Sequence, residues 1–247
     1  MSIIGAPVVS LPHLSVSSME YAKKHIERFD HGTLIKVEKH TQARGRHNRT
    51  WTLMEGQLLL TYVIKPDSGS LLHLFMAFAC AVHKALQTAT NCSIKWPNDI
   101  VYKKKKIAGM LFEPLWIGEK RAGIVFGLGA NVNTSFPAQH PLRERATSLY
   151  EQTNTQHDLL KLEKILSQKL SHWYEQWQQK NYETIFSAWE KSLAYKGEEI
   201  TIHSVTGEVI QGQFVSVQPN GNLVLMQKDT IERAFSFSQT LSLSVTG

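Results

Sequence analysis

The sequence predicts an α+β domain followed by a small all-β module. Up to Ala194, segments with helical periodicity alternate with segments of strand periodicity, whereas from Glu198 onward short alternating segments are separated by glycine and proline turns. The 247 residues, 42% of them hydrophobic, suffice for one full-sized domain and a companion of roughly 50 residues. We therefore predict domains over residues 1–194 and 195–247.

The first half of the chain opens on a helix. Ser17 and Ser18 precede a segment whose apolar residues recur at helical spacing, Met19 to Phe29, and serine is a favourable N-cap. The next predicted elements are a strand over 33–38, an exposed loop over 41–51, a strand over 57–64 and a buried apolar helix over 70–88.

The second half begins with three short predicted strands and continues with a long helix. The strands cover 93–96, 106–115 and 121–128, and the glycines of 127–131 end the last of them. Two prolines and mixed polar residues predict a loop over 133–145, and leucines and tryptophans at helical spacing predict a helix over 157–177. The segments 199–204, 208–217 and 222–226 indicate a small antiparallel barrel of about five strands.

Composition excludes several classes of protein. Lys and Arg number 27 against 21 Asp and Glu, a net charge of +6, and this balance with a large apolar fraction excludes a disordered chain. Two cysteines are too few for a disulfide framework, so we expect a cytoplasmic protein without a nucleophilic cysteine. The longest apolar run, 71–82, is too short for a membrane span, and the first 14 residues have no signal-peptide pattern.

Much of the positive charge lies in two stretches, 44–49 and 103–106. The first contains three arginines and Gly45; the planar arginine fork suits carboxylate and phosphate oxygens, and glycine lets the backbone approach an anion closely. The second stretch, 103–106, is predicted to form the tip of a hairpin. Lys106 adjoins the apolar strand that follows, so it is the lysine best placed to face a pocket. A solvated basic loop is the alternative for both stretches.

Two further stretches contain residues that could contribute to a ligand-binding site. The first, Lys95-Trp96-Pro97-Asn98-Asp99, joins a strand to a turn whose polar side chains can serve a ligand, although an ordinary strand-to-turn junction has the same residues. The second, Gly127-Leu128-Gly129-Ala130-Asn131, lacks the third glycine and the following helix of a dinucleotide site. Cysteine spacing does not fit zinc, and the Gly-x-Ser-x-Gly elbow of many hydrolases is missing.

The order and spacing of four of these motifs resemble the biotin protein ligases. The motifs are the arginine stretch ending in Trp51, Lys95 to Asp99, Lys106-Ile107-Ala108-Gly109, and Gly127 to Asn131. The match runs from Ser17 to about Leu149, and the terminal β module is similar to the SH3-like C-terminal domain of that family. Each motif alone is weak, but four in register are specific.

The resemblance implies a catalytic domain of the class II aminoacyl-tRNA-synthetase-like, biotin/lipoyl ligase type. It also implies a two-step reaction: biotin and ATP with Mg²⁺ give biotinyl-5′-AMP and pyrophosphate, and the biotin then passes to the ε-amino group of a lysine on a biotin carboxyl carrier domain. The residues that would be catalytic are Arg46, Asp99 and Lys106. Those that would bind biotin are Ser17, Ser18, Met19, His40, Arg44, Gly45, Arg46, Lys106, Gly109, Leu111, Gly127 and Gly129. Those that would bind ATP or the adenylate are Arg44, Arg46, Arg49, Trp51, Lys95, Asn98, Asp99, Lys106 and Asn131. The metal ligands are not assigned.

The chain departs from the family pattern at several positions. In the arginine motif, Ala43 and Asn48 stand where the family has its first and third glycines. Ser17-Ser18-Met19 replaces the usual Ser-Thr-Asn, and His40 occupies the position where a glutamine is expected. Asparagine tolerates positive φ better than alanine does, so these changes bear on the loop and on substrate choice rather than on the fold.

Three questions about function stay open at this point. A lipoate or octanoate ligase or transferase shares the catalytic fold, and a basic nucleic-acid-binding protein is the alternative from another class. Only 16 residues precede Ser17, too few for the helix-turn-helix domain of many relatives, so we expect no operator binding. The sequence does not decide whether the chain forms a homodimer.

Overall fold

A computed structural model describes residue 3, residues 5–227 and residues 231–245 of the chain. It contains a seven-stranded mixed sheet with five helices, and a five-stranded antiparallel sheet at the C-terminal end. The strands of the first sheet are β1 (Val8–Leu14), β2 (Leu34–His40), β3 (Gln57–Ile64), β4 (Ser93–Lys95), β5 (Asp99–Tyr102), β6 (Lys105–Ile117) and β7 (Lys120–Asn131). The helices are α1 (Ser18–Lys24), α2 (Leu71–Leu86), α3 (Leu149–Thr153), α4 (Leu159–Gln178) and α5 (Tyr182–Lys191).

The first sheet has the order β1-β2-β3-β7-β6-β5-β4. Only the β1–β2 pair is parallel, and the other neighbours are antiparallel. The two long strands β6 and β7 form an antiparallel hairpin at the centre of this sheet.

The two faces of this sheet bury different helices. One face packs against α2, α4 and α5 and forms the main core, which includes Phe78, Phe126, Trp177 and Trp189. The other face carries only a smaller cluster, in which Met19, Ala22 and Ile26 from the region of α1 pack on β2, β3 and β7. The part of this second face that α1 leaves uncovered is available for a site.

The C-terminal sheet has the order β11-β10-β9-β8-β12. Its strands are β8 (Glu199–Ser204), β9 (Val209–Val217), β10 (Leu223–Gln227), β11 (Ile231–Phe235) and β12 (Thr240–Val245). It docks on the first domain through Phe237, whose ring packs on Phe75, Trp96 and Trp189, and through the Trp96 indole N–H, which donates to the Gly221 carbonyl at 3.0 Å.

Most predicted elements are present, and the differences have local causes. The strand β1 was missed because it is an edge strand with Pro12 in it and mostly solvent-facing side chains. The helix α5 was also not assigned, although its buried residues Ile185 and Trp189 stand at helical spacing. The prediction of short central strands was wrong: β6 has 13 residues and β7 has 12, and β7 continues through the glycines to Asn131.

The predicted loop over 133–145 contains no helix or strand. The short helix α3, which Ser148 caps, and the four-residue strand β5 were also not assigned from the sequence. None of the described helices has the length and apolar character needed to cross a membrane. The domain boundary at 194/195 stays a prediction; the last helix ends at Lys191 and the second sheet begins at Glu199.

Candidate active site

A cavity of about 260 Å³ opens on the uncovered face of the first sheet. Its floor includes Gly109 and Leu111 of β6 and Gly127 and Gly129 of β7, which stand at alternate positions of each strand. The N-terminal end of α1 and the segment 43–51, which we call the arginine loop, form one wall. The Lys95 to Asp99 segment forms another, and β12 of the C-terminal sheet completes the enclosure.

The absence of side chains at three glycines leaves room for other side chains to pack directly against this floor. A Cβ atom on Gly129 would lie 2.9 Å from Cε2 of Trp51, and one on Gly109 would lie 3.1 Å from Cζ3 of the same ring. A Cβ atom on Gly127 would meet Sδ of Met19 at 2.3 Å. The three glycines therefore allow Trp51 and Met19 to lie directly on the sheet.

The arginine loop is closed by its own backbone. Gly45 N–H donates to the Arg49 carbonyl at 2.8 Å, and Trp51 N–H donates to the Ala43 carbonyl at 2.9 Å. Asn48 adopts a positive φ of 56°, as predicted for a residue that replaces glycine, whereas Ala43 does not have a positive φ. The two departures from the family motif are thus compatible with an ordered loop.

Arg44 lies at the centre of an ion-pair cluster. One terminal nitrogen, Nη2, contacts the Glu113 carboxylate at 2.5 Å and the Glu20 carboxylate at 2.8 Å. Lys23 Nζ also contacts both carboxylates, at 2.7 Å to Glu20 and 3.3 Å to Glu113. The remaining terminal nitrogen of Arg44 donates to Asn48 Oδ1 at 3.2 Å.

Arg46 reaches across the cavity to the C-terminal sheet. Its guanidinium donates to the carbonyls of Phe237 and Thr240, the latter at 3.0 Å, and to Asn98 Oδ1 at 3.3 Å. Burial lowers the pKa of Arg46, and the charge of Asp99 partly opposes that shift. The arginine remains a cation at any physiological pH.

Lys106 and Asp99 form a close pair beside the floor. Lys106 Nζ lies 2.6 Å from Asp99 Oδ1 and 5.2 Å from the centre of the Trp51 ring. Burial lowers the pKa of Lys95, which lines the same cavity, and the charge of Asp99 opposes that shift while Lys106 and Arg49 add to it. Five cations, Arg44, Arg46, Arg49, Lys95 and Lys106, thus line the cavity with one carboxylate, Asp99, an arrangement suited to binding polyanions.

Ser17 and Ser18 both line the cavity, but their hydroxyls also have partners within the protein. The Ser17 hydroxyl accepts the Glu20 N–H at 3.2 Å and caps α1, and the Ser18 hydroxyl lies 2.8 Å from that of Thr61. A hydroxyl can both donate and accept, so each retains hydrogen-bonding capacity for a ligand.

Several buried polar atoms at the cavity have no partner. These are Nδ1 of His40, Nε of Arg44 and Nε1 of Trp51. Burial lowers the pKa of His40, so its imidazole is neutral at neutral pH. Buried polar atoms are normally hydrogen-bonded, so these three indicate that a polar ligand completes the site.

Seventeen of the eighteen predicted site residues line this cavity, and Asn131 does not. Asn131 is buried, donates to the Thr147 carbonyl at 3.1 Å and accepts from Gln57 Nε2 at 3.1 Å, so it braces the strand ends behind the floor. A further contact, to the Lys106 carbonyl at 3.5 Å, links it to β6.

The sequence did not identify all of the lining residues. Thr61 was missed because it is an ordinary alternate position of β3, and Leu241, Ser242 and Leu243 were missed because β12 carries no motif. Glu20 and Glu113, which form ion pairs with Arg44, were also not predicted as residues of the site. Their negative charge, opposite to that of the arginine loop, was the feature that could have indicated these pairs.

The burial of the two cysteines agrees with the sequence prediction. Both cysteines are free and buried, and burial raises the pKa of Cys80 to about 12 and that of Cys92 to about 11, so neither is a nucleophile at neutral pH. Within the described ranges, no three His, Cys, Asp or Glu side chains are grouped as a metal cluster.

Part of this chain is similar in sequence to known proteins. Residues 14–131 match the model of the Biotin/lipoate A/B protein ligase family. The Bifunctional ligase/repressor BirA of Bacillus spizizenii is 28% identical over 221 residues, covering 83% of this chain and 65% of that protein. The Biotin--[acetyl-CoA-carboxylase] ligase of Paracoccus denitrificans is 29% identical over 191 residues, which cover 74% of this chain and 79% of that protein. The present chain thus spans about two thirds of the length of the bifunctional relative.

A solved structure of the biotin protein ligase from Aquifex aeolicus, in complex with biotin and ATP, superposes with a TM-score of 0.81. It is 23% identical, and the match covers 97% of this chain and 99% of that one. At this identity the likeness establishes the fold, and it confirms the predicted α+β ligase architecture with a small β module after it.

Proposed function

We propose that this chain, whose residues 14–131 match the model of the Biotin/lipoate A/B protein ligase family, is an ATP-dependent biotin protein ligase. The observation that carries the proposal is the convergence of Arg46, Lys106 and Asp99 with the three-glycine floor in one cavity. A flat floor suits a fused-ring acid, and the surrounding cations suit the phosphates of ATP.

In the first step the carboxylate of the acid attacks the α-phosphorus of ATP. A P–O bond forms, pyrophosphate leaves, and the product is the mixed anhydride biotinyl-5′-AMP. The two reactants are both anions, so the cations Arg46, Arg49, Lys95 and Lys106 offset their repulsion and stabilise the charge that builds up at phosphorus. Lys106 is already oriented by its contact with Asp99.

In the second step the ε-amino group of an acceptor lysine attacks the acyl carbon. A C–N bond forms, AMP leaves, and the amine must lose a proton. Asp99 lies beside Lys106 at the cavity, where its carboxylate can attract the incoming ammonium group and take that proton. Arg46 and Lys106 would hold the anhydride for both steps.

The residues present fit magnesium only as an ion that arrives with ATP. Asp99 is the one carboxylate among the described residues of the cavity lining, and Mg²⁺ commonly binds through one or two carboxylates together with substrate phosphates. Asp99 and Asn98 would hold the ion, which supplies charge neutralisation at the phosphates when bound.

The substrate and partner are proposals of the same kind. The glycine floor and the Lys95 to Asp99 segment favour biotin over lipoate or octanoate, and the acceptor would be a biotin carboxyl carrier domain of a carboxylase, with the reaction in the cytoplasm. The relative from Paracoccus denitrificans, whose name is Biotin--[acetyl-CoA-carboxylase] ligase, supports this choice.

Exchange of radiolabelled pyrophosphate into ATP tests the proposal without any partner protein. We expect biotin to support exchange and lipoate and octanoate to support much less. Exchange with lipoate or octanoate but not with biotin would replace the proposal by a lipoate-type activity. If none of the three acids supports exchange, the chain does not activate them.

A further inference from the structure

Met19 covers one of the three glycines of the cavity floor. It is the second residue of α1, and its side chain is buried. A Cβ atom on Gly127 would lie 2.3 Å from Sδ of Met19 and 3.0 Å from its Cγ, so the thioether rests directly on the backbone of β7. Met19 also belongs to the smaller core, with Ala22, Ile26 and Val125, and close packing there leaves it little room to move aside.

The pairing of the strands fixes how far Met19 lies from the cation Lys106. Gly109 pairs with Gly129, and a Cβ atom on Gly109 would lie 2.7 Å from Nζ of Lys106, so the ammonium group stands over this row of the floor. Gly127 lies two residues away along β7, a distance of about 6.6 Å in an extended strand. An acid that turns its carboxylate toward Lys106 and lies along the floor therefore ends at Met19.

Two hydroxyl groups lie at the same end of the floor as the thioether. Thr61 pairs with Gly127, and its hydroxyl lies 2.8 Å from that of Ser18. Both residues are buried and line the cavity together with Met19. This end of the cavity thus combines an apolar wall with two hydroxyls that retain hydrogen-bonding capacity. A compact group with a polar edge fits it, whereas the end of a long alkyl chain does not.

We propose that Met19 is a specificity-determining residue that closes this end of the cavity and selects acids with a compact, polar far end over acids with longer alkyl chains. The proposal rests on the proposed function in assigning the floor to an acid. The atoms of Met19 beyond Cβ, which are Cγ, Sδ and Cε, occupy the space that about three further heavy atoms of a longer acid would need. A single methylene group that fits or fails to fit an apolar pocket changes selectivity by about 10- to 200-fold, so this wall is a strong filter.

The decisive variant is Met19→Ala, which removes the three atoms beyond Cβ. Met19→Leu keeps nearly the same apolar volume and therefore keeps the wall. The matched control is Ile26→Ala, because Ile26 is buried in the same smaller core but stands outside the described cavity lining. Urea titration establishes that each variant is folded.

Isothermal titration calorimetry without ATP measures the affinities for biotin, octanoate and undecanoate, the last of which is three carbons longer than octanoate. We expect Met19→Ala to raise the ratio of undecanoate to octanoate affinity by at least about tenfold over the wild type and to weaken biotin by about tenfold. Met19→Leu and Ile26→Ala should leave the ratio at its wild-type value. An unchanged ratio in folded Met19→Ala protein would overturn the proposal.

The contact between Met19 and Gly127 has a test of its own. In Gly127→Ala the added methyl group meets the thioether and forces it into the cavity, so we expect biotin to bind about tenfold more weakly than to the wild type. In the Met19→Ala background the same methyl group has room, so adding Gly127→Ala should weaken biotin much less. Equal effects of Gly127→Ala in both backgrounds would show that the two positions are independent and would refute the contact.

Pyrophosphate exchange with biotin, measured on the same proteins, keeps this proposal apart from the proposed function. A shifted affinity ratio without exchange in the wild type would support the wall and refute the ligase function. Normal exchange without a shifted ratio would refute the wall and leave the ligase function standing. If none of the three acids binds either the wild type or Met19→Ala, the cavity does not take an acid and both proposals are wrong.

Discussion

A single added methyl group at Gly129 should displace the indole of Trp51 from the floor of the cavity. Gly129 lies in β7 on the face that carries the site, and a Cβ atom there would lie 2.9, 3.0 and 3.2 Å from three atoms of the Trp51 ring. Ordinary contact between carbon atoms begins at about 3.5 Å. The ring must therefore retreat by about 0.6 Å in the variant Gly129→Ala.

The size of the effect follows from the cost of overpacking. Forcing an extra methyl group against packed side chains costs about 1–3 kcal/mol. If the complex with biotin needs Trp51 on the floor, that cost appears in the binding of biotin and weakens it by roughly 5- to 150-fold. The unliganded protein should lose less stability, because the ring can move into the empty cavity.

Isothermal titration calorimetry with biotin and a thermal melt would measure the two quantities. Gly123→Ala is a matched control, because Gly123 lies on the same face of β7 and its added Cβ would meet Ile26 at 3.2 Å, away from the cavity. We expect the control to bind biotin as the wild type does. Wild-type affinity in Gly129→Ala would refute the assignment of Trp51 and the glycine floor to the acid site.

Three other predictions concern the cap of α1, the buried histidines and the catalytic lysine. Ser17→Ala should lower the free energy of unfolding by about 1 kcal/mol in urea titration, whereas Ser17→Asp should preserve it, because the Ser17 hydroxyl caps the helix. Burial lowers the pKa of His31, His40 and His83 from 6.5, so the unfolded chain binds more protons in acid than the folded protein does. The free energy of unfolding should therefore be highest above pH 6.5 and should fall as the pH drops below that value. An unchanged melting temperature between about pH 7.5 and about pH 5.5 would contradict this prediction. Lys106→Ala should slow pyrophosphate exchange by on the order of 10²- to 10³-fold, and unchanged exchange kinetics would remove Lys106 from the first step.

The elements with strong periodicity could be predicted from the sequence. The helix α4 follows its leucines and tryptophans, and β3 was predicted with the bounds that the structure shows. The strand β1 was not predicted, because Pro12 lies within it, four of its seven residues are exposed and only Val9 and Leu11 pack on the smaller core. Tertiary pairing, rather than local preference, makes this segment a strand.

The composition of the cavity was predictable because short motifs mark residues that converge in space. What the motifs could not show is which contacts each side chain makes. The binding of biotin and ATP by Arg44 stays a prediction, and the structure adds its ion pairs with Glu20 and Glu113, which come from elements far apart in the chain. The contribution of the C-terminal sheet, through the carbonyls that Arg46 contacts, depends on the docking of two domains and has no sequence signal.

The measurement that tests the central claim most directly is the intact mass of a biotin carboxyl carrier domain after incubation with this protein, ATP, Mg²⁺ and biotin. We predict a mass increase equal to one biotinyl group, located on a single lysine, that depends on ATP and is strongly reduced with the Lys106→Ala variant. A carrier domain of unchanged mass, under conditions in which a known biotin protein ligase modifies it fully, would contradict the account.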